Sequence, residues 1–167
     1  LLFDITEQQL IVNGETPDTD NPFTMIVYVS IQEPATKHSH RNSIEDMPNE
    51  SVMSSMLNYV ARDEAVHEEA YQIVGEHLRE YFPDQMIITV ANAFESFDMP
   101  GSSIERFDKH GALLRWAGVL DEVDLYQIFV EVSERFRVFD TEGETLHPEA
   151  VEAQERIAKV LVTLHEQ

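Results

Sequence analysis

The chain contains no cysteine, which excludes disulfides, thiolate metal sites and thiol catalysis. Positive charge is scarce: 11 Lys and Arg stand against 32 Asp and Glu, a formal net charge of −21. Phosphate recognition needs clustered Lys and Arg, so no nucleic-acid partner is expected, and an anionic membrane surface is disfavoured for the same reason. No stretch approaches the ~20 apolar residues of a membrane-spanning helix. The opening LLFDITEQQL lacks an initiator Met and a basic run ahead of an apolar one, so it does not read as a signal peptide. A soluble, cytoplasmic protein is expected, and the missing Met suggests a piece of a longer one.

The 167 residues fit one domain, and 43% hydrophobic content supplies a core of ordinary size. Seven prolines punctuate the chain. Residues 1–20 read as a short helix followed by a loop dense in turn formers. Asn21 and Pro22 are a helix start, and a helix is expected over 22–42. A second runs over about 50–81 and stops at Pro83. Further helices are expected over 84–97, 104–116, 121–138 and 148–164. Strand periodicity is absent, so the fold class is all-α, a helical bundle.

Three side chains carry metal chemistry. Glu64 and His67 in ARDEAVHEE are three residues apart, on one helical face. Glu33 lies on the preceding helix, on a face expected to run through Ile26, Val29, Glu33, Thr36 and His40. A short loop makes the two helices antiparallel neighbours and brings both acids to similar heights. Two buried carboxylates and an imidazole are costly together unless a cation sits between them. Carboxylate-bridged two-iron bundles take one Glu from each of two helices and a Glu-x-x-His from each of two others. This chain holds half of that set, and iron suits the mixed ligands. The same spacing in Glu144 and His147 lies between Gly143 and Pro148, outside any sustained helix, and is a decoy. His38 and His40 are two apart, a spacing that does not form a paired chelate on a helix.

The segments IVYVSIQEPATKHSHRN (26–42), ARDEAVHEEAY (61–71) and FDMPG (97–101) resemble the soluble acyl-acyl-carrier-protein desaturases. The likeness runs from about residue 5 to residue 160, and SHRN and MPG are more like the actinobacterial branch than the plastid one. The resemblance implies a ferritin-like helical bundle, usually a homodimer, with a di-iron centre. It implies molecular oxygen, electrons from a ferredoxin and a saturated acyl chain on acyl carrier protein, into which a double bond is introduced. By this resemblance Glu33 is the single Glu ligand of the second half-site, and Glu64 and His67 are its Glu-x-x-His ligands. Thr36 matches a threonine linked to proton delivery near the oxygen-binding face. Asp63 matches an acid that holds a ligand histidine of the other half, and His40 a histidine of unassigned role.

Several expectations follow from the resemblance. Met53, Met56, Leu57 and Phe94 are candidates for an apolar slot, although each reads first as ordinary core. The family's first half-site precedes this region, so the chain is expected to be the C-terminal part of a longer desaturase and to be inactive alone. Pro34, directly after Glu33, is expected either to kink the helix next to the metal or to sit near a helix start. Acyl carrier protein is itself acidic, and Arg41, Arg62, Arg79, Arg106, Lys109 and Arg115 are the candidates to dock it. The alternative reading is a non-enzymatic ferritin-like iron-binding protein that completes its site by dimerisation.

Overall fold

A computed structural model describes residues 21–45, 52–98, 106–141 and 145–166, the side chain of Asp108 apart. Among them there are six helices and no strand: α1 (Pro22–Glu45), α2 (Val52–Tyr81), α3 (Pro83–Ser96), α4 (Phe107–Trp116), α5 (Glu122–Arg135) and α6 (Pro148–His165). The expected short helix before Asn21 lies outside the described residues.

Local chemistry sets the boundaries. Asn21 caps α1, its Oδ1 accepting the Phe23 N–H at 3.0 Å with Pro22 at the first helical position. Phe82 alone separates α2 from α3, because Pro83 cannot continue a helix but can start one. Asp121 opens α5 with a reciprocal cap: its side chain accepts from the backbone of Val123 and Asp124, and Asp124 accepts from the Asp121 N–H. Helix α5 ends at Arg135 rather than 138, because Arg137 takes a left-handed φ of 46° and turns the chain. Helix α1 instead runs on to Glu45, three residues past its expected end.

The core joins α1, α3, α5 and α6 through residues such as Val27, Ile31, Ile87, Val90, Ile128, Val132, Ala153 and Ile157. Phe94 of α3 stacks on Phe129 of α5, with ring centroids 3.9 Å apart. The stripe of α1 that enters this core is Val27, Ile31 and Ala35, with Pro34 beside it. It is not the expected face of Ile26, Val29 and Thr36, which are only half-buried. Helix α1 carries apolar residues on most of its circumference, so spacing alone does not choose its inner side.

Helix α2 packs along α1, the most extensive pairing of helices described. Its inward side is small or polar: Ser54, Ala61, Gln72, Gly75 and Arg79. A Cβ on Gly75 would fall 2.4 Å from the ring of Phe136, so only glycine admits this approach. The larger apolar residues of α2, among them Val52, Met56, Tyr59, Val66 and Ile73, are exposed on the other side.

Candidate metal centre

Glu33, Glu64 and His67 converge between α1 and α2. One ligand atom from each lies within 4.8 Å of the others, and this is the only such group among the described residues. His67 Nδ1 is 3.4 Å from Glu64 Oε2 on its own helix and 3.7 Å from Glu33 Oε2 across the pair. Glu33 is buried at 8% exposure, Glu64 is half-buried, and the His67 side chain is 55% exposed. The cluster therefore forms a wall with one open side.

Its electrostatics ask for a cation. Burial pushes the Glu33 carboxyl up from 4.5 to about 7, and the hydrogen bond and charge of Glu64 push in the same direction. His67 only partly opposes this. Two carboxylates and an imidazole are the donor types that suit iron or manganese, and their positions fit one side of such a centre.

Pro34 does not interrupt the site. It lies inside α1, which continues unbroken through it, so the alternative that it marks a helix start is corrected. With no N–H it leaves one carbonyl a turn earlier without its usual donor. The hydroxyl of Thr36 bonds backward to the carbonyls of Gln32 at 3.0 Å and Glu33 at 2.9 Å. Thr36 is thus one turn past Glu33 with its hydroxyl turned to the backbone. Asp63 is exposed on α2, outside the three-residue cluster. His40 is half-buried.

Two cross-links next to the site were missed in the sequence. Lys37 and Glu68 form a largely buried ion pair between α1 and α2. Their opposite charges on antiparallel ligand helices were the available signal. His38 Nδ1 lies 3.2 Å from Asp124 Oδ1, and Asn42 donates to Asp124 Oδ2 at 3.2 Å and to the Val119 carbonyl at 3.2 Å. These bonds tie α1 to the capped start of α5, so His38 belongs to the scaffold.

Other candidates resolve differently. Phe94 is core, whereas Met53 and Met56 are exposed; Leu57 is half-buried. Of the spacing decoy, Glu144 lies outside the described residues. His147 caps the start of α6, and its backbone N–H donates to Asp84 Oδ1 at 2.8 Å. Arg79 is buried and donates to the Arg137 carbonyl at 3.2 Å, so it is withdrawn as a docking residue. Arg41, Arg62, Arg106, Lys109 and Arg115 are exposed, and Arg115 lies 3.6 Å from Glu122. No helix among the described residues is long and apolar enough to cross a membrane.

Known proteins share these features. A protein of Mycobacterium tuberculosis H37Rv, named as an acyl-[acyl-carrier-protein] desaturase, DesA1, is 28% identical over 140 residues, which is 83% of this chain and 40% of that protein. The chloroplastic stearoyl-[acyl-carrier-protein] 9-desaturase of Spinacia oleracea is 31% identical over 165 residues, 93% of this chain and 41% of that one. The chain thus spans about two-fifths of the length of these curated relatives. The X-ray structure of a protein named as acyl-ACP desaturase DesA2, also from Mycobacterium tuberculosis H37Rv, shares the fold. Its TM-score is 0.63 at 22% identity, over 86% of this chain and 56% of that one. The helices are those of a ferritin-like bundle. The family model described as fatty acid desaturase matches residues 2–166. With nearly its whole length matched, the chain belongs to the fatty acid desaturase family.

Proposed function

We propose that this chain is the C-terminal part of an acyl-[acyl-carrier-protein] desaturase and supplies one half of its di-iron centre. The observation that carries the reading is the convergence of Glu33, Glu64 and His67 within 4.8 Å, in a chain of this family. The names of the relatives support the substrate class. In the proposed reaction two hydrogens leave adjacent methylenes of the acyl chain. Dioxygen takes these two hydrogens with two electrons and two protons, and two waters form.

Bound iron would supply the oxidising power that no side chain has, enough to activate dioxygen and cleave an unactivated C–H bond. The chain's own residues do the rest. Glu33 and Glu64 would bind through carboxylate oxygens and neutralise the cation's charge, and His67 would bind through an imidazole nitrogen. Thr36 Oγ1, now held by backbone carbonyls one turn away, is proposed to rotate toward the site and pass a proton there. Asp63 is proposed to accept a hydrogen bond from a ligand histidine of the other half, which fixes that ring's orientation.

A complete site of this kind needs twice the ligands present here. The extra length of the relatives, rather than a second copy of this chain, is the proposed source of the remainder. The exposed apolar side of α2 is the surface on which that remainder would pack. The homodimer and a ferredoxin-type electron donor belong to the same proposal and rest on the family alone.

Titrating the metal-free chain with Fe(II) or Co(II), followed by calorimetry and visible absorption, tests the site. One cation per chain is expected, with affinity about a hundredfold or more lower after Glu64→Ala or His67→Ala, since loss of even an outer partner of a metal ligand costs about 10–100-fold. Unchanged affinity in both variants would end the reading.

A further inference from the structure

The cleft between α2 and α5 has a volume of about 420 Å³ and is lined by Glu68, Gln72, Glu131, Glu134 and Arg135. It is separate from the Glu33, Glu64 and His67 cluster, none of whose side chains lines it. Its charge is negative and incompletely paired. Arg135 Nη2 donates to Glu69 Oε1 at 3.0 Å and its Nε pairs with Glu76, so one positive charge is already shared by two carboxylates of α2. Glu68 is engaged by Lys37. Glu131 and Glu134, one turn apart on α5 and both exposed, form no ion pair among the described residues.

Exposed acids alone make no more than a solvated surface. Gln72 sets this cleft apart. It lies on the inward side of α2 and is only 6% exposed, yet its side-chain amide forms no hydrogen bond among the described residues. Buried amides are ordinarily hydrogen-bonded, because a group taken out of water without a partner destabilises the fold. This one faces the cleft, where its carbonyl oxygen is offered to whatever enters.

The matching ligand is a cation with several separated charges. Among the described residues, three carboxylate or imidazole atoms close enough to share one bare ion occur only at Glu33, Glu64 and His67. The carboxylates of the cleft therefore stand too far apart to chelate a metal, and its volume is that of a small-molecule site. Ammonium groups carry donors and no acceptor, which suits carboxylates and an amide carbonyl alike. We propose that the cleft binds a linear polyamine, an aliphatic chain bearing ammonium groups. One ammonium group is held by Glu131 and Glu134 on the α5 wall, another by Glu68 on the α2 wall, and an N–H between them donates to the Gln72 carbonyl oxygen. The bound chain joins α2, which carries Glu64 and His67, to α5. This site stands apart from the desaturase reaction and does not depend on it.

Spermidine is the probe, titrated by calorimetry into the metal-free chain. Ionic strength is held at about 0.15 M with NaCl, where the screening length is about 8 Å. One spermidine per chain is expected, and the thermal midpoint should rise by about 5–10 °C when spermidine stands at about a hundred times its Kd. Glu131→Gln with Glu134→Gln should weaken binding about tenfold or more, as the loss of charge-assisted hydrogen bonds does. The matched neutralisation Glu80→Gln with Glu155→Gln, elsewhere on the surface, should leave it within about twofold. Gln72→Met keeps the charge and the bulk and should still weaken binding about fivefold, an effect that general attraction between a cation and an acidic chain does not produce. Glu64→Ala should leave spermidine binding within about twofold, because the cleft is not the metal centre.

No saturable binding, equal losses in the two double variants, or full affinity in Gln72→Met would overturn the proposal. So would Mg(II) that displaces spermidine at equal concentration, which would mark a site for a metal ion. Loss of spermidine binding in Glu64→Ala would put the amine among the metal ligands and remove the cleft. Spermidine binding that survives in a chain unable to bind Fe(II) or Co(II) keeps the cleft and removes only the metal centre.

Discussion

Glu33 Oε2 lies 3.7 Å from His67 Nδ1, the first on α1 and the second on the antiparallel helix α2. Neither helix builds this contact alone. It needs both the one-turn offset of Glu64 and His67 and a fixed sliding register between the two helices.

The raised Glu33 carboxyl makes the metal-free chain sensitive to pH. Its value climbs from 4.5 unfolded to about 7 folded, chiefly by burial. A carboxyl shifted upward holds its proton more tightly when folded, so its contribution is complete below about 4.5 and is lost as the pH rises to about 7. Urea midpoints of the metal-free chain should therefore fall across this window relative to those of Glu33→Gln. Parallel profiles for the two proteins would disprove the assignment.

The Lys37–Glu68 pair links α1 to α2 beside the candidate site and is expected to hold their register. Removing one partner strands a largely buried charge, at a cost of about 3 kcal/mol in the folded chain. Lys37→Met and Glu68→Gln should each lower stability and metal affinity. The double variant should lose less than the sum, with a coupling of about 1 kcal/mol or more for residues in contact. Strict additivity in denaturant titrations would mean that the pair does not set the register.

Gly75 is where α2 touches the ring of Phe136. Gly75→Ala should destabilise the chain by about 1–3 kcal/mol despite the better helix propensity of alanine, because the overpacked ring has to move. Adding Phe136→Leu should recover part of that loss. A thermal midpoint that rises on Gly75→Ala alone would contradict the close approach.

Arg137 occupies a left-handed backbone position, φ 46°, where glycine is the usual residue. Its carbonyl, not its side chain, receives the Arg79 hydrogen bond. Arg137→Gly should thus keep that bond and stabilise the chain by roughly 0.5–1 kcal/mol, the left-handed penalty less the entropy cost of glycine. A lower urea midpoint would show that the arginine side chain matters more than the turn.

Helix periodicity and proline punctuation revealed the helices well. Pro22, Pro83 and Pro148 each open one, and the starts and stops they mark differ from the expected ones by no more than a few residues. The site was legible for a related reason. Glu64 and His67 sit on one face by helical geometry alone, and a short loop forces α1 to return beside α2.

The inner side of α1 was not legible, because a helix apolar around most of its circumference gives no preferred face. Nor was the use of α2, whose inward side is small and polar while Tyr59, Val66 and Ile73 face outward. Burial patterns assume that large apolar residues point to the local core, and α2 breaks that assumption.

By itself, then, the sequence determined the helices, the candidate ligand types and their spacing within each helix, since these depend on local backbone geometry and on residues a few positions apart. Tertiary packing decided the rest: that Pro34 is carried inside α1, that Lys37 finds Glu68, and that Arg79 is buried. Those outcomes depend on how whole helices share a core, which is a long-range competition for burial that no local pattern encodes.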